Sequence, residues 1–232
     1  MSDILHDVVS LFYPYHCMIC EKPFIESEQH ICLDCLCDLP KTNYHINKGN
    51  PARALFAGYP QVNEVTAFLF FEKDGTTQKL IHSLKYYGNK NLAEFMGRIA
   101  ARELQNYGFY ASIESIIPIP LHPKKEKQRG YNQSGLIAKG ISSVYGCEIE
   151  NNVLRRVTNT KSQTRKTIYD RHVNVEKIFE ASGTEHLFGK HVLLVDDVCT
   201  TGATASSCIE ALLSTVPEIK ISIFSLSIAR EY

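Results

Sequence analysis

Two stretches of this chain carry residue types at spacings that do chemistry. Cys17 and Cys20 form one Cys-x2-Cys pair and Cys32 and Cys35 a second, with eleven residues between them. Each pair sets two thiolates on one side of a tight knuckle, and two facing knuckles complete the tetrahedral sulfur set that Zn²⁺ prefers. A single Cys-x2-Cys would leave buried thiols or a redox pair as equal readings. Two in register within 19 residues favour structural zinc, and four thiolates leave no open position for catalysis. Cys37 falls outside that shell, and Cys147, Cys199 and Cys208 are isolated, as core or loop residues are.

The second stretch is Val192–Thr204, VLLVDDVCTTGAT. Four apolar residues run into Asp196-Asp197, then through Val198 and Cys199 into Thr200-Thr201-Gly202-Ala203-Thr204, with a helical pattern directly behind. In an open α/β sheet, ligands bind at the carboxyl ends of the strands. A small hydroxylic loop at a helix N-terminus leaves backbone N–H groups for a phosphate dianion, with Gly202 allowing close approach. The adjacent acids supply acceptors for ribose hydroxyls or Mg²⁺-bound water. A Walker-B strand end would require a GxxxxGK[ST] loop upstream, and this chain has none.

The elements that must position these residues follow from periodicity. Thr66–Phe71 reads as a strand and Gln78–Tyr86 as a short helix. Leu92–Leu104 keeps Leu92, Phe95, Met96, Ile99 and Ala100 on one helical face. Ser115–Ile119 is a strand ending at prolines, Gln133–Val144 a helix, Lys190–Asp196 an apolar strand, Ala203–Leu213 a helix and Lys220–Ile228 a strand. Strands alternating with helices, some strands apolar on both faces, predict an α/β fold around a mostly parallel twisted sheet. A helix over Met1–Phe12 and the four cysteines make a small module over residues 1–45. Lys41–Pro60 lacks periodicity and reads as a linker or irregular loop, and the α/β domain occupies 60–232.

Composition excludes several classes. Lys plus Arg and Asp plus Glu both number 25, and 44% of residues are hydrophobic, so neither global disorder nor a uniformly basic coat fits. The acidic interruptions near the N-terminus are unlike an export signal, and no apolar run is long enough to span a membrane. The expected compartment is the cytoplasm, where thiols stay reduced.

The Val192–Thr204 segment closely resembles the phosphoribosyl diphosphate (PRPP) signature of type I phosphoribosyltransferases over all its thirteen positions. Further segments narrow the resemblance to the ComF family of competence-associated, phosphoribosyltransferase-like proteins. They are the four-cysteine module, Leu84-Lys85-Tyr86 with Gly88, Pro118-Ile119-Pro120-Leu121-His122-Pro123, Arg129-Gly130-Tyr131-Asn132-Gln133-Ser134, and Gln163-Thr164 followed by Arg171 and Asn174. The resemblance implies PRPP binding with Mg²⁺ and phosphoribosyl transfer. Asp196 and Asp197 would hold the ribose hydroxyls and Thr200 to Thr204 the 5′-phosphate. Lys85 and Arg129, with Lys124 and Arg171, would face the pyrophosphate, under a mobile loop around Gln163–Arg171.

Lys124–Arg171 holds eleven Lys and Arg against four Asp and Glu, a local excess of seven that the remainder of the chain balances. Two accounts of that stretch stay open. It surrounds a pyrophosphate, or it binds the backbone of single-stranded DNA, with Tyr131, Tyr145 and Tyr169 as stacking faces and a competence helicase as partner. Lys124-Lys125-Glu126-Lys127 by itself reads as exposed loop. His122, between prolines, reads as a loop hydrogen-bonding residue, and no general base stands out.

Overall fold

The computed structural model describes residues 16–25, 29–47, 49–86, 89–109, 111–158 and 178–230. The helix expected at Met1–Phe12 therefore lies outside the described residues, as does the stretch carrying Gln163 and Arg171. The elements in chain order are α1 (Leu33–Cys37), α2 (Pro51–Ala54), β1 (Val62–Phe71), α3 (Thr76–Tyr86), α4 (Lys90–Gln105), β2 (Ser115–Pro118), α5 (Pro123–Arg129), α6 (Gln133–Tyr145), β3 (Glu148–Ile149), β4 (Leu154–Arg156), β5 (Phe179–Ala181), β6 (His191–Cys199), α7 (Ala203–Leu213) and β7 (Lys220–Ala229).

Five strands form one sheet in the order β1-β7-β6-β2-β3, and every pairing in it is parallel. β4 and β5 make a separate antiparallel pair. The central strands are buried on both faces, so β6 opens on the apolar run Val192–Val195 and β7 holds only apolar residues and small buried serines from Ile221 to Ile228. One core layer joins α3, α4 and α6 to one sheet face; the other joins α2, α7 and the β4–β5 pair to the opposite face.

Two adjacent strands send their chains to opposite faces. β2 and β6 pair through Ser115–Pro118 and Val192–Val195, yet β2 leads to α6 in the first layer and β6 to α7 in the second. Such a divergence opens a crevice at the carboxyl ends of the two strands. The crevice also depends on how closely α4 and α6 approach. A Cβ on Gly97 would lie 2.2 Å from the Ile137 carbonyl oxygen, and one on Gly140 would lie 2.1 Å from that of Glu94. Only two facing glycines allow that crossing.

The aperiodic 41–60 segment is not loose. Thr42 N–H donates to the Phe68 carbonyl, Phe70 N–H to the Pro40 carbonyl, and buried Asn50 donates through Nδ2 to the Val65 carbonyl at 2.9 Å. The segment thus covers the outer edge of β1, an edge that would otherwise offer unpaired backbone groups. Backbone bonds pair it with β1 only around Lys41, and beyond that the contact passes to the Asn50 side chain, so no strand-like alternation marks it.

Candidate functional site

A cavity of about 280 Å³ occupies the crevice. β6 supplies Asp196, Asp197 and Val198; the loop behind it supplies Thr200, and the first turn of α7 supplies Thr204. The turn after β2 contributes Ile119, Pro120 and Leu121. Gln133 and Ser134 enter from the N-terminus of α6, Lys85 from the end of α3 and Arg156 from the end of β4. The Lys85 ammonium lies 2.9 Å from an Asp197 carboxylate oxygen. Asp196 Oδ1 accepts from the Asp197 N–H at 2.9 Å and from the Ser134 hydroxyl at 3.3 Å.

The two acids are held differently. Burial pushes the Asp196 carboxyl up from 3.8 to about 7, and the neighbouring Asp197 charge adds to the rise. The Asp197 N–H, Lys85 and Ser134 oppose that shift without cancelling it. Asp197 thus faces the Lys85 cation directly, while the more deeply buried Asp196 has its carboxyl held above the ordinary carboxylate range.

The Arg129–Ser134 run is a set of positioning contacts. Tyr131 donates its hydroxyl to the Leu84 carbonyl at 2.6 Å, and Gln133 Nε2 reaches the same oxygen at 3.3 Å. Those two bonds satisfy a carbonyl in the last turn of α3, beside Lys85. Asn132 caps α6 by accepting from the Ser134 N–H, and its amide nitrogen donates to the Ile119 carbonyl at 3.0 Å. One short run therefore fixes the height of Lys85, the path of the turn after β2 and the hydroxyl on Asp196. These roles are invisible in composition; a Tyr-Asn-Gln-Ser run opening a helix is the signal that points to them.

The expected residues are distributed as follows. Lys85, Asp196, Asp197, Thr200 and Thr204 come together around the cavity; Thr201, Gly202 and Ala203 belong to the same loop without lining it. Gly202 has a left-handed φ of 75°, and a Cβ there would lie 3.0 Å from the Phe56 ring. The protein's own α2 segment stands close to that glycine. Lys124 is exposed on α5, and Arg129, half-buried at the end of that helix, does not line the cavity. Gln163 and Arg171 lie outside the described residues. Arg156 is the addition, packed over the Phe179 ring at 5.3 Å across the β4–β5 pair. In sequence it is one cation among eleven, and only the strand pairing singles it out.

Two readings are corrected. Lys124–Lys127 belongs to a short helix and not a loop, because Pro123 sits at its first position, His122 Nδ1 accepts from the Lys124 N–H, and Gly130 ends it at φ 82°. Tyr131 offers no stacking face: it is 7% exposed, and the Lys90 ammonium lies 5.6 Å from its ring centre. Tyr145 bonds the Ala101 carbonyl at the far end of α6, about 18 Å along the helix from the site.

The four cysteines converge. The sulfurs of Cys17, Cys20, Cys32 and Cys35 all lie within 4.8 Å of one another, with Cys20 and Cys32 at 3.6 Å. The N–H groups of Ile19 and Cys32 point at Cys17 Sγ from 3.4 and 3.3 Å. Burial acts to raise the Cys17 thiol, but the backbone N–H groups of Cys20, Cys32 and Ile19 outweigh it and bring it down to about 6. Burial and the neighbouring thiols raise Cys35. Four clustered sulfur donors could bind a metal, and the set is of the soft kind that suits zinc. Cys17, Ile31 and Cys32 belong to the same apolar cluster as Phe68 and Leu92, so the knuckle is continuous with the first core layer.

The family model described as "Phosphoribosyl transferase domain" matches residues 143–230. The DNA utilization protein YhgH of Escherichia coli O157:H7 is 26% identical over 218 residues, covering 88% of this chain and 92% of that protein. Competence protein F of Haemophilus influenzae is 34% identical over 115 residues, 49% of this chain and 50% of that one. The solved structure of adenine phosphoribosyltransferase from Saccharomyces cerevisiae covers 67% of this chain and 70% of its own, at 15% identity and a TM-score of 0.33. No described helix is long and apolar enough to cross a membrane. With its parallel sheet, its acidic strand end and its four-cysteine cluster, the chain is homologous to Competence protein F and YhgH and carries a phosphoribosyl transferase domain.

Proposed function

We propose that this protein binds PRPP with Mg²⁺ at the crevice between β2 and β6 and transfers its phosphoribosyl group, in the competence or DNA-utilization setting that its relatives' names indicate. The observation that carries this reading is the juxtaposition, around one 280 Å³ cavity, of an acid pair, a lysine, an arginine and a hydroxylic loop opening a helix. Thr200 to Thr204 would cradle the 5′-phosphate, and Asp196 and Asp197 would accept from the ribose hydroxyls. Lys85 and Arg156 would face the pyrophosphate, with Arg129, Lys124, Gln163 and Arg171 as the other candidates. Mg²⁺ would neutralise pyrophosphate charge. The acceptor's lone pair forms the bond to C1′ as the C1′–O bond to pyrophosphate breaks; the pyrophosphate leaves with the electron pair, and any acceptor proton passes to water. The transition state is cationic at the sugar and anionic at the leaving group, so stabilising the leaving charge is the main task. The four cysteines would hold structural Zn²⁺ in a cytoplasmic protein whose thiols stay reduced.

The test is pyrophosphate release from PRPP with Mg²⁺ and a panel of acceptors, wild type beside the double variant Asp196→Asn/Asp197→Asn. The variant is expected to lose about a hundredfold or more. Equal release by both removes the acid pair from the chemistry. PRPP with Mg²⁺ should also raise the melting temperature, since a ligand of the folded state alone stabilises it. No shift at millimolar PRPP rejects the reading.

One observation favours a second activity of the same fold. Lys124, Lys125 and Lys127 are all exposed on α5, directly after the turn that lines the cavity. That cationic helix suits the backbone of single-stranded DNA, with a helicase as a further partner. Binding should weaken steeply with salt and with removal of the three charges; indifference to either counts against the patch.

A further inference from the structure

A second cavity, of about 350 Å³, shares Thr200 with the first. Its lining comes from two directions. Phe70, Ile228 and Arg230 mark the carboxyl ends of β1 and β7, while Tyr44 and Leu55 come from the packed 41–60 segment. The remaining lining residues are a proline and two alanines. Tyr44 and Phe70 meet edge to face, with ring centres 5.6 Å apart at 87°. The Arg230 guanidinium lies 4.5 Å from the Phe70 ring centre. Its ion pair with Glu72 is long, at 3.8 Å, and both side chains are more than a third exposed, so the pair is weak.

The chemistry of this lining is one-sided. Among the described residues that line it, Arg230 is the only charged side chain, and none offers a carboxylate, amide or imidazole. Apolar and aromatic walls suit a planar ring. A guanidinium that supplies only donors suits a carboxylate. An exocyclic amine would find no side-chain carbonyl or carboxylate to receive it, and an unmet polar group discriminates strongly. The position is equally specific. Leu55 lines this cavity and also stands 3.4 Å from where a Gly202 Cβ would lie, so the wall of one space backs the loop of the other.

We infer that this second cavity is the acceptor site and that its occupant is a planar heteroaromatic acid whose carboxylate meets Arg230. The inference rests on the phosphoribosyl-transfer reading for its role, and on the lining alone for its ligand class. The two are separable. Ligand-observed NMR on the full chain, with nicotinate and orotate against adenine and uracil, is run with and without PRPP and Mg²⁺. The two acids are expected to bind and the neutral bases not. Arg230→Gln should weaken the acids about tenfold, the loss of one charge-assisted contact, and Arg230→Lys should keep part of that affinity. Neutral bases binding as tightly as the acids, no binding of either acid under both conditions, or unchanged affinity in Arg230→Gln each overturn it. A wild-type protein that binds the acids but gains no thermal stability from PRPP rejects phosphoribosyl transfer while leaving the ligand class of this cavity in place.

Discussion

The knuckle brings four sulfurs within 4.8 Å of one another from 19 consecutive residues, whereas the cavity beside β6 draws Lys85, Leu121, Ser134, Arg156 and Asp196 from five separate stretches. The first arrangement is made by tight turns within one short stretch of chain. The second is made by packing, because each side chain arrives on a different element whose position depends on its neighbours. The sulfur cluster should therefore be sensitive to its own ligands, and the crevice to residues that never touch it.

The largest effect expected falls on the knuckle. Purified protein should carry about one zinc per chain, and Cys32→Ser should bring that close to zero by metal mass analysis. Because Cys32 belongs to the first core layer, the melting temperature should fall by about 10 °C, and a chelator should reproduce the fall. Zinc below about half an equivalent in the wild type would remove the four-thiolate site.

Next comes packing remote from the crevice. Gly140→Ala places a methyl 2.1 Å from the Glu94 carbonyl oxygen and forces α4 and α6 apart, at about 3 kcal/mol by urea denaturation. Gly135→Ala on the same helix meets nothing closer than 3.7 Å and should be neutral or stabilising by about 0.5 kcal/mol. Equal effects at the two positions would show that the helix crossing does not govern stability.

The acid pair predicts a smaller, pH-dependent effect. Between about pH 4 and 7 the folded protein holds a proton on Asp196 that the unfolded chain has released. Its contribution is complete below pH 4 and is lost as pH rises through 7. Without Mg²⁺ or PRPP, Asp196→Asn should gain about 2–3 kcal/mol over wild type between pH 5 and pH 8. A difference that is flat with pH would mean that Asp196 is ionised throughout. The smallest effect is at Tyr131→Phe, which keeps the ring and loses one bond to the Leu84 carbonyl. It should cost about 1 kcal/mol of stability and weaken PRPP binding a few-fold, both read from melting curves with and without PRPP. A thermal response to PRPP equal to wild type would take Tyr131 out of the positioning of Lys85.

Elements with strong periodicity were legible before any coordinates. Ala203–Leu213 and the helix read at Leu92–Leu104 differ from the observed bounds by at most two residues, since each buries one regular face. The helix over Pro123–Arg129 escaped that logic because it buries no face; its signals are a proline at the start and a glycine at the end. The 41–60 segment escaped it for the reason given by Asn50, whose amide is bonded to Val65 across the chain. Arg156 escaped because nothing local separates it from Arg155; the β4–β5 register sets one over Phe179 and leaves the other exposed beside Glu180.

By itself the sequence determined the chemistry on offer: four thiolates at knuckle spacing, two acids at the end of an apolar strand, and a small hydroxylic turn before a helix. These are local properties, settled by residue type and by spacings shorter than one element. Tertiary structure decided which of the cations meets the acids, why Gly202 must be glycine against Phe56, and that Tyr131 supports Lys85 instead of offering a stacking face. It also decided that a second, singly charged cavity adjoins the first at Thr200. Those outcomes depend on contacts between residues dozens of positions apart, and no local pattern carries them.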